Sequence, residues 1–296
     1  MLNLIKMDLY RMFRSVSTWV ILIFTVGIAV FCVTMANMDV DAMAEDPQYA
    51  QESAEEIAAG NAASDTDMSN ADRQIGIYAE SDPAWVSGEI DAGELISTQM
   101  TSGMLTLLCV IFAAIFGSAE QKNGYIKNIA GQLPNRGVLA VSKLAVSAVQ
   151  VFLMTVIFVV STGVMGKLFW GERFAVGAVS DMLPFLGAQY LLNVGVAALI
   201  IFLCTLTKSS AFGMTAGILM VLGLSVPVYS LINRAVAELA PSWKFDISRY
   251  MPDGNIWMAG IGASSEVLIR AAAVGAAFAV ICTVLAMITV KKRDVR

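Results

Sequence analysis

The stretch WVILIFTVGIAVFCVTM fills residues 19–35, and no Asp, Glu, Lys or Arg lies anywhere from Ser15 to Met38. A hydrocarbon core about 30 Å thick takes about 20 apolar residues of helix to cross. Five more uncharged windows of comparable length follow: Leu95 to Ala119, Leu144 to Gly166, Met182 to Thr207, Ser209 to Asn233 and Ala271 to Val290. Lipid offers backbone groups no partner, so segments rich in Val and Ile must still close their hydrogen bonds internally, as helices. Composition agrees: 57% hydrophobic residues against 15% charged leaves too little polar surface to clothe a soluble domain. The expected fold is one all-α integral membrane domain of six transmembrane helices, at about 18–36, 97–119, 144–166, 183–207, 209–232 and 270–290.

The first window has a rival reading as a signal peptide, because Lys6, Arg11 and Arg14 precede it. Its apolar run exceeds a usual signal core and five windows follow, so it is read as an uncleaved span. All four cysteines (Cys32, Cys109, Cys204 and Cys282) fall inside windows, where they serve as small packing residues and build no disulfide framework.

Orientation follows from where Lys and Arg collect in the short connections. With both termini in the cytoplasm, the inner segments hold twelve basic residues against Asp8, Glu120 and Asp294. The reversed topology would put the cluster Lys291, Lys292 and Arg293 outside. The net charge of −5 averages over a strong asymmetry, since Asn37 to Glu94 alone carries fifteen acids and one base, Arg73. Residues 37–96 therefore read as an acidic extracytoplasmic loop, disordered in part or loosely helical. The second outer segment, 233–269, mixes both charges with Trp243, Phe245, Tyr250 and Trp257, aromatic types that settle at headgroup level. Its apolar piece from Gly254 to Ser265 is too short to cross and suits a re-entrant or interfacial element.

Two cytoplasmic stretches carry mechanism. In residues 1–17, Leu2, Ile5, Leu9, Met12, Phe13 and Val16 recur at helical spacing, with Lys6, Tyr10 and Arg14 on another face and Arg11 nearby. This is an amphipathic helix expected to lie in the inner interface, basic residues toward anionic headgroups. The connection 120–143 reads EQKNGYIKNIAGQLPNR from Glu120 to Arg136 and ends at Lys143. Ile126, Ile129, Ala130 and Leu133 make an i, i+3, i+4, i+7 stripe, and Pro134 stops it, which predicts a short amphipathic helix. Docking a partner and plain connection are both open on these residues alone.

The order of parts, with Phe116 to Glu120, Gly124 to Lys127, Leu133 to Arg136 and Ser142-Lys143-Leu144, resembles the permease subunits of ABC-2 type transporters, especially the bacterial drug, bacteriocin-immunity and peptide-export branch. In that family a span-ending Glu, a Gly-x-x-Lys and a Pro-x-Arg surround the helix that contacts the ATPase. The resemblance implies that Glu120, Gly124, Ile126, Lys127, Ile129, Leu133, Pro134 and Arg136 form the ATPase-coupling element. It also implies cytoplasmic ABC ATPase subunits and a second permease half, identical or different, as partners, in a bacterial cell membrane. The long acidic outer loop departs from the family pattern and leaves the substrate open.

Absences narrow the reading. There is no G-x-x-x-x-G-K-[ST] phosphate loop, so ATP hydrolysis is expected in a separate subunit. The chain has no histidine, and its windows contain no carboxylate or cation of the kind that ion-coupled carriers place at mid-membrane. No catalytic residue, metal, cofactor or nucleic-acid partner is expected. Gln189, Asn193 and Asn233 are candidates for lining a path or for hydrogen-bonding between helices. Pro227 is expected to kink the fifth span and Pro184 to open the fourth at its first turn. Export of a hydrophobic or amphipathic compound, such as a drug or antimicrobial peptide, is the leading function. A non-transport scaffold or sensor with the acidic loop as receptor is the alternative.

Overall fold

The computed structural model describes residues 2–55, 81–122, 137–177, 179–240 and 245–292. Its helices are α1 (Leu2–Arg14), α2 (Val16–Glu45), α3 (Ala92–Thr101), α4 (Met104–Lys122), α5 (Val138–Trp170), α6 (Val179–Thr207), α7 (Ser210–Val221), α8 (Val226–Leu239), the short α9 (Pro252–Met258) and α10 (Ser265–Lys292). Each of α2, α5, α6 and α10 is long and apolar enough to cross a membrane alone. The pairs α3–α4 and α7–α8 pass only together and bend by 49° and 72°. The described residues thus hold four spans, or six if each bent pair is one. The breaks have a local cause: Gly103 and Gly223 take φ of +87° and +76°, a left-handed backbone that glycine adopts without strain. Pro227, expected to kink the fifth span, sits in the first turn of α8, just after that break.

The helices overrun the windows read from the sequence, at two boundaries instructively. The first span continues as helix to Glu45, because Val40 and Met43 stay buried while Asp39, Asp41 and Glu45 lie outside the core. Charge ends the apolar window without ending the helix. α6 begins at Val179, so Pro184 lies inside it, in the second turn and on the exposed side between buried Met182 and Phe185, where it removes one helical bond.

The most extensive helix pairing is α6 against α10. It is made by glycine: a Cβ on Gly195 would stand 2.6 Å from the Gly275 carbonyl oxygen, and one on Gly275 would stand 2.5 Å from the Leu191 carbonyl. Only hydrogen on both sides lets the backbones touch, the usual way to gain packing where lipid supplies no hydrophobic drive. α4, α5 and α7 pack around α6 and complete the main core, with Phe112, Met154, Phe158, Phe185, Leu192 and Ile200 fully enclosed.

A second cluster caps the end of the bundle far from α1. Trp85, Ile90, Leu95, Trp170, Phe174 and Met182 pack there against Val33 and Val40 of α2. Strand β1 (Ile90–Asp91) pairs in parallel with β2 (Phe174–Ala175), Ile90 opposite Phe174. The Arg173 guanidinium donates to the carbonyls of Trp85, Val86 and Gly88, tying residues 83–88 to the α5–α6 connection. The acidic stretch after α2 therefore returns to the bundle through a built cap, and residues 47–55 are helical as well.

Candidate coupling region and polar core

α1 meets the bundle through a face that includes a carboxylate. Leu4, Asp8 and Met12, one turn apart, are its buried residues, while Leu2, Phe13 and Val16 of the expected apolar stripe are exposed. Lys6 and Arg14 lie outside this contact, and Arg14 donates to the Tyr10 hydroxyl at 2.8 Å. Asp8, 1% exposed, accepts from the Ser142 hydroxyl of α5 at 2.5 Å and from Arg11 at 3.4 Å. One residue on, the Lys143 ammonium is buried and donates to the Gly117 carbonyl of α4 at 2.7 Å. Trp19 Nε1 bonds the Phe13 carbonyl across the elbow at Ser15, fixing α1 against α2. The sequence placed Ser142 and Lys143 next to the coupling loop and had Asp8 only as an inner acid. Its signal was there: a charge one turn from Leu4 and Met12.

Glu120 stands in the last turn of α4. Gly124, Ile126, Lys127, Ile129, Leu133, Pro134 and Arg136 lie outside the described residues. The structure therefore speaks of the flanks of this connection. α4 on one side and α5 on the other are bridged by Lys143 and tied through Ser142 to α1.

The three candidate path residues do not converge. Gln189 Nε2 donates to the Ile256 and Ala259 carbonyls at 2.9 and 2.8 Å, capping the C-terminal end of α9. Asn193 donates to the Gln189 carbonyl one turn away. Asn233 is midway along α8, where it donates to Asp246 and accepts from the Ile247 amide. Near it, the Asp253 carboxylate of α9 accepts from Ser225 at 2.6 Å and Tyr229 at 2.9 Å, which ties the α7–α8 break to the buried short helix. A hollow of about 330 Å³ opens beside the cap, lined by Asp91, Glu94, Asp181, Met182 and Ile261. Asp91 there also caps α3, accepting from the Gly93 and Glu94 amides. Among the described residues no group of His, Cys, Asp and Glu is arranged to hold a metal ion.

Sequence reading missed another set. Gln99 and Gln150 are buried with both amide atoms unpartnered, and so are the hydroxyls of Thr106, Ser147 and Thr162. On α5 the signal was legible, since Lys143, Ser147, Gln150 and Thr162 fall on one helical face.

Long apolar helices, two of the crossing segments broken at glycine, and a polar clamp joining the flanks of one connection describe a multi-pass membrane protein. Residues 81–225, just under half of the chain, match the family described as ABC-2 family transporter protein. The matched stretch runs from the cap through α3 to α7 and takes in both flanks of the 120–136 connection; it supports an ABC-2 type permease. Comparison with curated proteins gives no match.

Proposed function

We propose that this permease is the membrane-spanning part of an ATP-driven exporter, with both termini in the cytoplasm of a bacterial cell. It pairs with a second permease half and with ATPase subunits that hydrolyse ATP, and it moves a hydrophobic or amphipathic compound outward. The loop from Glu120 to Lys143 receives the stroke. Support comes chiefly from the clamp at its flanks: with Lys143 bonded to Gly117 and Ser142 to Asp8, a push on the loop would move α4, α5 and α1 together. The charge asymmetry supports the orientation, and the ABC-2 match supports the partner class. Lys6, Arg11 and Arg14 would hold α1 at the anionic inner headgroups.

Replacing Ile126 and Ile129 together with Asp sets charges where apolar docking is expected, at a cost of about 3 kcal/mol or more. Copurified ATPase and its ATP hydrolysis in nanodiscs should both fall to background while expression stays normal. Glu120→Gln and Arg136→Ala should cost less, since partly solvated charges contribute little. A double Asp variant that keeps ATPase at the unmodified level would remove the coupling role from this loop.

A further inference from the structure

We propose that the buried face of α5 is one wall of the transport path, and that Gln150, with Ser147 beside it, is its mid-depth hydrogen-bonding station for a substrate carrying amide or similar donor and acceptor groups. The inference rests on the permease reading and adds the location and chemistry of the path. The stripe Lys143, Ser147, Gln150, Met154, Phe158 and Thr162 is buried throughout. At 1.5 Å per residue it runs about 28 Å, close to the thickness of the hydrocarbon core.

Outside α5, Gln99 and Thr106 of the α3–α4 pair also lack partners, whereas most hydroxyls in the spans are bonded within their own helices. The hydroxyls of Thr25, Ser118, Thr205 and Thr283 donate to carbonyls one turn back in their own helices. Along the α5 stripe, Ser147 Oγ, both amide atoms of Gln150 and Thr162 Oγ1 have no partner. An amide kept dry and unpaired is destabilising, so a helix-to-helix contact would be better served by Leu or Met. The Tyr190 hydroxyl donates to the Ala148 carbonyl and sets the register between α5 and α6. By that register, in this antiparallel pair, Gln189 Oε1 lies near the level of Gln150 and Asn193 Oδ1, one turn on, near that of Ser147; both are also unpartnered. Two adjoining spans thus carry unmet polar atoms at one depth, and in neutral form. A neutral amide offers both a donor and an acceptor, the complement of an uncharged peptide-like group.

The test is thiol accessibility in the full-length chain, with Cys32, Cys109, Cys204 and Cys282 replaced by Ala. Gln150→Cys, Ser147→Cys and the lipid-facing control Val160→Cys are treated in membranes with a charged methanethiosulfonate, with and without ATP. Water must reach a thiol for it to ionise and react, so the first two should be modified about tenfold faster than the control, or more. Rates as slow as the control under every nucleotide condition overturn the assignment. Gln150→Met is measured alongside: its Tm should equal or exceed that of the unmodified chain, and a lower Tm overturns the proposal by showing that the amide is paired glue. Neither readout depends on a captured ATPase, so failure here is separable from failure of the coupling loop.

Discussion

The α6–α10 crossing and the buried face of α5 belong to one bundle and are built in opposite ways. At the crossing, Gly195 and Gly275 let two backbones meet with no side chain between them. Along α5, the buried face carries Ser147, Gln150 and Thr162, whose side-chain polar atoms find no hydrogen-bond partner. A contact made by removing atoms has one geometry and cannot slide. A contact that leaves hydrogen bonds unmade is relieved when the helices part. On the path proposed above, the crossing is the fixed seam and the α5 face the yielding one, with the clamp at Asp8, Ser142 and Lys143 at its foot.

The largest effect should come from breaking the fixed seam. Gly275→Leu drives a side chain into the Leu191–Leu192 backbone, which has no rotamer with which to give way; overpacking of this kind costs about 3 kcal/mol or more. Gly27→Leu on α2 meets nothing within 4 Å and should stay within about 0.5 kcal/mol of the unmodified chain. Thermal unfolding in detergent compares the two. If Gly275→Leu unfolds no earlier than Gly27→Leu, the crossing does not hold the bundle.

An intermediate effect belongs to the clamp. Asp8→Ala strips the Ser142 hydroxyl and Arg11 of their acceptor, and hydrogen bonds to a charged group are worth about 1.5–3 kcal/mol. The loss should appear as lower Tm and as faster proteolysis within 2–14, because α1 would come away from α5. Asp8→Asn, which keeps an acceptor oxygen in the same place, should recover part of it. Equal Tm for Asp8→Ala and the unmodified chain would mean that α1 is held by Leu4 and Met12 alone.

How much of this was legible in the sequence follows the same division. The six uncharged windows marked the crossing segments because lipid penalises charge wherever the partner helix sits. They could not mark helix ends: α2 runs on to Glu45 with its acids turned away from Val40 and Met43, a matter of which face is covered. Pro227 signalled the second break, whereas Gly103 was one of twenty-three glycines, indistinguishable until its φ was known. Gln189 and Asn193 were picked out as polar residues in an apolar window, and their bonds to α9 and to the helix itself required tertiary structure. Ser147 and Gln150 stood in the sequence at buried-face spacing. Whether a buried polar atom is paired, however, is a property of the neighbouring helices, which a single sequence does not contain.

The smallest effect is the sharpest test of the comparison, because it changes one atom in two places on the same helix. Thr155 and Thr162 both lie on α5 and both are buried; Thr155 Oγ1 donates to the Val151 carbonyl at 2.9 Å, and Thr162 Oγ1 has no partner. Valine matches threonine in shape and β-branching, so Thr→Val leaves backbone preference and packing volume nearly unchanged and isolates the hydroxyl. At position 155 the lost bond is weak, about 0.6 kcal/mol for a typical hydrogen bond inside a membrane protein, and the carbonyl keeps its helical partner. Thr155→Val should therefore be slightly destabilising. At position 162 the hydroxyl carries a desolvation cost of about 1 kcal/mol or more with no bond to offset it, so Thr162→Val should be stabilising. The opposite signs are the prediction, read as the two shifts in Tm under identical detergent conditions. A stability loss at 162 equal to that at 155 would show that the α5 face is as fully bonded as the rest of the bundle, and the distinction between the two seams would fall.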